Sequence, residues 1–185
     1  RWVGLDNAAK IYPAARTRSW INVFRLSATL KEEVDVSILQ SALDVTVRRF
    51  PTISARLRRG MFWYYLEQLP KAPDVRVENS FPLSPMTYSE LRTCAFRTIV
   101  HKNRIAVEFF HSLTAGTGGM VFLKTLLAEY VTQKYGEHVP RECGILGRLE
   151  EPSADEMEDS FLRYAGDVAA SRQENTAFHL KGQKE

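Results

Sequence analysis

Two β-rich runs lie almost end to end in this chain, with three polar residues between them. Residues 92–100 (Arg-Thr-Cys-Ala-Phe-Arg-Thr-Ile-Val) lead into His101-Lys102-Asn103, and Arg104-Ile-Ala-Val-Glu-Phe-Phe110 follows. A connection this short forces the two runs to pair antiparallel, because a parallel pair needs a crossover of a dozen residues or more. The second run ends at His111 and enters Ser112-Leu-Thr-Ala-Gly-Thr-Gly-Gly119, a small-residue loop with three glycines. A helical pattern comes next, with Met120, Leu123, Leu127, Tyr130 and Val131 on one face. Thr117 is the expected N-cap, and Lys134 and Gly136 the expected C-terminal charge and stop.

Upstream, residues 1–18 read as a leading loop, and 19–30 as a strand with Trp20, Asn22, Phe24, Leu26 and Ala28 on one face. Asp35 is a good N-cap, and Val36, Leu39, Leu43, Val47 and Phe50 recur at helical spacing until Pro51. Residues 53–57 read as extended, Arg58-Arg59-Gly60 as a turn, and 61–69 as a strand. Prolines at 70, 73, 82 and 85 mark an irregular connection. Downstream, 141–152 read as a linker, Ser153-x-x-Glu156 as a capping box opening a short acidic helix, and 172–185 as a polar tail. There are no internal repeats. The order β-α-β-β-β-α plus a tail predicts an α+β fold with a mainly antiparallel or mixed sheet and flanking helices.

The 185 residues are 44% apolar and 25% charged, enough for one packed core. No run approaches the roughly 20 apolar residues a membrane span needs, so none is expected. The start has no apolar signal region and no Met, which suggests a trimmed chain without a secretory leader. A net charge of +3 is too weak to argue for nucleic acid. Cys94 and Cys143 lack paired zinc spacing and read as free structural thiols in a reducing cytoplasm, with one disulfide between them as the alternative. His101 and His138 read as surface residues, and no histidine pair has metal-ligand spacing, so no metal is expected. The aromatics at 62–65 read as core and sheet face rather than a base-stacking platform, and the acidic run at 150–159 as a solvated helix surface.

The chemistry concentrates at His111. A strand tip places its imidazole at a sheet rim, and histidine readily takes and gives a proton near neutral pH. The glycines that follow allow a tight turn and leave room for a ligand near the main chain. Two other readings stand beside this one. The ring can simply hydrogen-bond a neighbouring carbonyl. The loop can cradle a phosphate at a helix N-terminus, although Gly116-Thr-Gly-Gly119 lacks the lysine and spacing of a P-loop.

The segment 110–116 resembles the HHxxxDG motif of the condensation-domain and alcohol-acetyltransferase superfamily, which shares its fold with chloramphenicol acetyltransferase. Phe110 stands at the first histidine and His111 at the second, catalytic one. Ser112, Leu113 and Thr114 fill the variable positions. Ala115 stands at the aspartate, and Gly116 matches the glycine. Arg49-Phe50-Pro51 resembles the start of the RHxxLR motif, whose arginine pairs with that aspartate in relatives. Ala115 therefore removes the carboxylate from the pair, unless another carboxylate or water compensates.

The resemblance implies a chloramphenicol-acetyltransferase-like N-terminal lobe over 1–140. Residues 141–185 would be a linker and crossover toward an absent second lobe with a DFGWG-like motif. It implies acyl transfer, as acetyl-CoA-dependent O- or N-acetylation. His111 Nε2 would take the proton of an alcohol or amine, and the nucleophile would attack the thioester without a covalent enzyme intermediate. No tightly bound cofactor is implied; acetyl-CoA or another acyl-CoA is the co-substrate. Implied partners are the small acceptor and either the second lobe or self-association. Ser112 and Thr114 would line the acceptor side, or else be solvated loop residues. Arg48, Arg49, Arg56, Arg58 and Arg59 read as a solvated basic cluster, with contact to CoA phosphates or nucleic acid as the alternative. The rival function is a non-catalytic binding or scaffolding relative that keeps the fold and has lost the site.

Overall fold

The computed structural model describes residues 2–4, 22–61, 64–148 and 150–152. In chain order the elements are β1 (Trp2–Gly4), β2 (Val23–Thr29), α1 (Val36–Arg49), β3 (Ala55–Arg59), β4 (Tyr64–Gln68), β5 (Arg76–Val77), α2 (Tyr88–Thr93), β6 (Phe96–His101), β7 (Arg104–Phe110) and α3 (Gly116–Tyr135). The expected hairpin is β6 and β7, with His101 opposite Arg104 and Phe96 opposite Phe109. It forms the middle of a four-stranded sheet ordered β2-β7-β6-β5, in which only β5 runs parallel to its neighbour. A second, antiparallel sheet is ordered β1-β4-β3. The fold is α+β with a mixed sheet and flanking helices, as the periodicities predict. The sheets meet where Ala95 N donates to Ala55 O at 3.0 Å and Phe110 N donates to Ala95 O at 2.9 Å.

Alternation divides β7 between two environments. Ile105, Val107 and Phe109 face the helices, and Phe24, Leu26, Phe96 and Val100 from the neighbouring strands share that face. Phe109, Phe96 and Phe50 all pack on Phe122 of α3, with ring centroids 5.2–5.6 Å apart and edge-to-face tilts. Gly119 lets α3 approach the sheet, since a Cβ there would lie 3.0 Å from the Phe24 ring and 3.2 Å from Phe109. Helix α1 adds Leu39, Leu43 and Val47 to this core. Asp35 caps it as expected, accepting from Ser37 N and Ile38 N, and its own N–H donates to the Tyr130 hydroxyl at 2.9 Å. Gly136 ends α3 in the left-handed conformation, at φ 72°.

The opposite face of the same sheet carries charge. Arg25, Glu108 and Arg97 stand directly opposite one another across β2, β7 and β6. Glu108 is fully buried. It accepts from Arg25 Nη1 at 3.0 Å, Arg97 Nε at 2.7 Å and the Leu83 backbone N–H at 2.9 Å. Glu78 extends the cluster, bound by Arg25 at 2.7 Å and Arg104 at 2.6 Å. Burial alone would raise the Glu78 carboxyl, but hydrogen bonds from Arg25 and Arg104 outweigh it and hold the group below its ordinary range.

Several sequence expectations are corrected. Arg92 and Thr93 belong to α2, not to the β6 strand. Thr87 and Glu90 form a reciprocal capping box that nucleates a helix just before it. Arg58 and Arg59 are strand residues paired with Tyr65 and Tyr64, so the connection between the strands starts later, after Arg59. Trp2–Gly4 is a strand on β4 rather than loop. Met120 is 41% exposed, and Phe122 and Leu126 take the core positions instead, because the buried face of α3 starts at Gly119. The readings at 5–21, Phe62, Trp63 and 153–185 lie outside the described residues.

Two predictions follow from the charged face. Glu108→Gln should lower unfolding free energy by about 3–5 kcal/mol in urea titration, because it leaves two buried guanidinium groups short of their shared carboxylate. A loss under about 1 kcal/mol would show the cluster to be hydrated. The depressed Glu78 carboxyl also fixes a sign. Its contribution is complete above the unfolded carboxylate pKa, about 4.3, and is lost as pH falls below it. Thermal melts should therefore be level above about pH 5 and fall below about pH 4. A Tm that rises on acidification would contradict this.

Candidate active site

The chain leaves β7 through a backbone fixed at successive residues. Phe110 N–H is held by Ala95 O, and His111 N–H donates to Asn22 O at 2.9 Å. Leu113 N–H then turns back to Phe110 O at 2.9 Å. Phe110, Ser112 and Leu113 are buried, while His111 between them is half-buried. Its ring rests on Phe24, with centroids 4.7 Å apart and a 45° tilt. The imidazole thus sits at the sheet rim, steadied by an aromatic wall and reachable from solvent.

Ala115 and Gly116 come next, both exposed. Ala115 has φ −83° and ψ 173° and is the N-cap of α3, with no side-chain cap hydrogen bond. Its carbonyl accepts the first helical bond, from Gly119 N at 3.0 Å. The expected cap Thr117 is already the second residue of the helix, so the expectation fails on backbone geometry. The N-cap of α3 is thus occupied by a residue whose side chain cannot cap.

Arg49 is the last residue of α1, and only 4% of its surface is exposed. The solvated reading therefore fails for Arg49. Arg56 and Arg58 are different. Both bond Glu67 at 2.7 Å, and their hydrogen bonds pull that carboxyl down to about 2. Arg49 instead lines a pocket of about 250 Å³ with Phe50, Ile53, Thr114, Gly118 and Val121. The structure thus brings Arg49 to Thr114 and Gly118, in the loop and first turn that follow His111. Neither His111 nor Ser112 lines that pocket. Ser112 is buried within the loop rather than solvated.

Cys94 is buried, and burial pushes its thiol up to about 11, so it stays protonated. Cys143 is exposed and does not serve as a core hydrophobe. Among the described residues, no three His, Cys, Asp or Glu side chains converge as a metal site would require. No described helix is long and apolar enough to cross a membrane.

No protein-family profile and no characterised protein sequence matches the chain. Solved structures do match. The starter condensation domain of rhizomide synthetase RzmA superposes with a TM-score of 0.60 at 12% identity, over 77% of this chain and 40% of that one. The first condensation domain of the calcium-dependent antibiotic synthetase gives 0.57 at 17% identity, over 76% and 40%. SgcC5 from Streptomyces globisporus gives 0.58 at 15%, over 75% and 38%. The chain has the condensation-domain fold. It spans about two-fifths of the length of these neighbours.

The cap geometry makes a direct prediction. Ala115→Asp should stabilise the lobe by about 0.5–2 kcal/mol, because a carboxylate there accepts from the free N–H groups of the first turn. For a chain of this size, about 1 kcal/mol raises Tm by roughly 2–4 °C. An unchanged or lower Tm by calorimetry would contradict the cap assignment.

Proposed function

We propose that this chain is the histidine-bearing lobe of an acyltransferase that uses an acyl-CoA and a small alcohol or amine. The observation that carries the reading is the placement of His111. It follows directly on β7, lies half-buried on Phe24 and precedes a turn of small residues. The imidazole takes the acceptor proton as the oxygen or nitrogen attacks the thioester carbonyl. A tetrahedral oxyanion forms and collapses, the carbon–sulfur bond breaks, and the proton passes to the departing thiolate. In this reading the oxyanion donor comes from a second lobe, outside residues 1–185. Acetyl-CoA is the simplest co-substrate. A variant of the RzmA starter condensation domain has been solved in complex with C8-CoA, which supports an acyl-CoA at this fold.

Ala115 favours a second reading, a binding relative without turnover. The X-domain from teicoplanin biosynthesis has been solved in complex with OxyB, so a neighbour of this fold can hold a protein partner.

His111→Ala separates the two. In the full-length gene product, with acetyl-CoA and a panel of alcohols and amines, the acyltransferase reading predicts a loss of about 10²–10⁴-fold in kcat, followed as thiol release. Undiminished turnover would remove His111 as the base. No turnover in the unaltered protein against the whole panel would favour the binding relative.

A further inference from the structure

A second recess opens beside β3. It has a volume of about 450 Å³ and is lined by Arg58, Arg59, Tyr65, Glu67, Tyr88 and Arg92. Three elements supply these side chains, two each from β3, β4 and α2. Regular structure holds them in place. Arg58 stands opposite Tyr65 in the β3–β4 register. Helix α2 is fixed by its Thr87–Glu90 capping box and by Leu91, which is buried. The Tyr88 ring meets Tyr64 edge-on at 6.5 Å, and the Arg92 guanidinium lies 6.0 Å from the Tyr88 ring centroid. The charges do not balance. Three guanidinium groups line the recess, against one carboxylate. That carboxylate is shared further, since one Glu67 oxygen accepts from both Arg56 Nε and Arg58 Nε at 2.7 Å. Among the described residues, no carboxylate pairs with Arg59 or Arg92. Converging like charges repel, and a ligand with two or more negative charges relieves that repulsion. Phosphate oxygens match guanidinium donors two at a time. Arg58 keeps donors for such a ligand, because a guanidinium carries five N–H groups and Glu67 engages the one at Nε. The volume suits a small molecule, and the tyrosines add hydroxyl donors.

We propose that this recess binds a small phosphate-bearing molecule with at least two negative charges, held by Arg58, Arg59 and Arg92. The sequence alone points to a basic cluster at 56–59; the fold adds Arg92 and the two tyrosines and makes the cluster concave. The recess shares no residue with the loop after His111, so the proposal stands whether or not the acyltransferase reading does.

Titration calorimetry of the full-length protein with inorganic diphosphate, ADP and CoA, at one fixed ionic strength, tests it. At least one of the three should bind saturably. Arg59→Gln together with Arg92→Gln should weaken that binding by about tenfold or more. Both residues are exposed, so the variant should fold, which an unchanged Tm checks. Arg48→Gln together with Lys71→Gln removes the same charge from exposed positions outside the recess and should leave the affinity within about twofold. ADP or CoA bound more tightly than diphosphate identifies the occupant as a nucleotide. Diphosphate bound as tightly as both identifies it as a free phosphate compound. The proposal is overturned if none of the three binds saturably, or if the Arg48 and Lys71 variant loses as much affinity as the Arg59 and Arg92 variant. Tighter binding of a single-stranded oligonucleotide than of every small phosphate would overturn it too.

Discussion

Strand β7 is enclosed on both faces by incompatible surroundings, and the position of His111 follows from that. One face delivers Phe109 to the rings of Phe96 and Phe122. The other delivers Glu108 to Arg25 and Arg97. A slip of one residue would exchange the faces, driving the carboxylate into the aromatic cluster and the phenyl ring among the arginines. The register is therefore fixed to the residue, and so is the side chain at the strand's tip. The charged triad matters here for specificity of pairing, since a buried ion pair rarely adds net stability over an apolar substitute.

Much of this was legible in the amino-acid order, where local rules and tertiary packing agree. The short polar turn at 101–103 marks the central hairpin. Asp35, the 36–50 periodicity and Pro51 bracket α1, and Gly136 closes α3. What escaped has physical reasons. Helix α2 has six residues, too few for a periodic signal, and only its Thr87–Glu90 box announces it. The triad hides because Arg25, Arg97 and Glu108 look like the polar beats of ordinary strands; their meaning appears only once the strands are in register. Gly119 hides the buried face of α3, because a close approach leaves no apolar side chain to count. Ala115 goes unnoticed as a cap because alanine is the residue a search for caps passes over.

The candidate site divides in the same way. His111 stands out in sequence because a strand ends there and glycines follow. Arg49 enters the sequence reading by resemblance alone, as the partner of the position that Ala115 fills; in the structure it lines a pocket with Thr114 and Gly118, which Ala115 does not line. The sequence pattern treats Ser112 and Thr114 alike, whereas packing separates them, sending one inward and the other to the pocket wall. The loop after His111 is thus held by its backbone bonds to Asn22 and Phe110, while Ala115 contributes no side-chain bond of its own.

The proposal centres on the imidazole that follows β7 at an open rim, as the base between a thioester and a nucleophile. A crystal structure of the full-length protein with a non-hydrolysable acyl-CoA analogue and an acceptor tests it most directly. The account predicts the acceptor oxygen or nitrogen within hydrogen-bond reach of His111 Nε2, about 2.6–3.2 Å, and the acyl carbonyl beside it. A ligand bound elsewhere, with the His111 ring closed off between Phe24 and the second lobe, would contradict it.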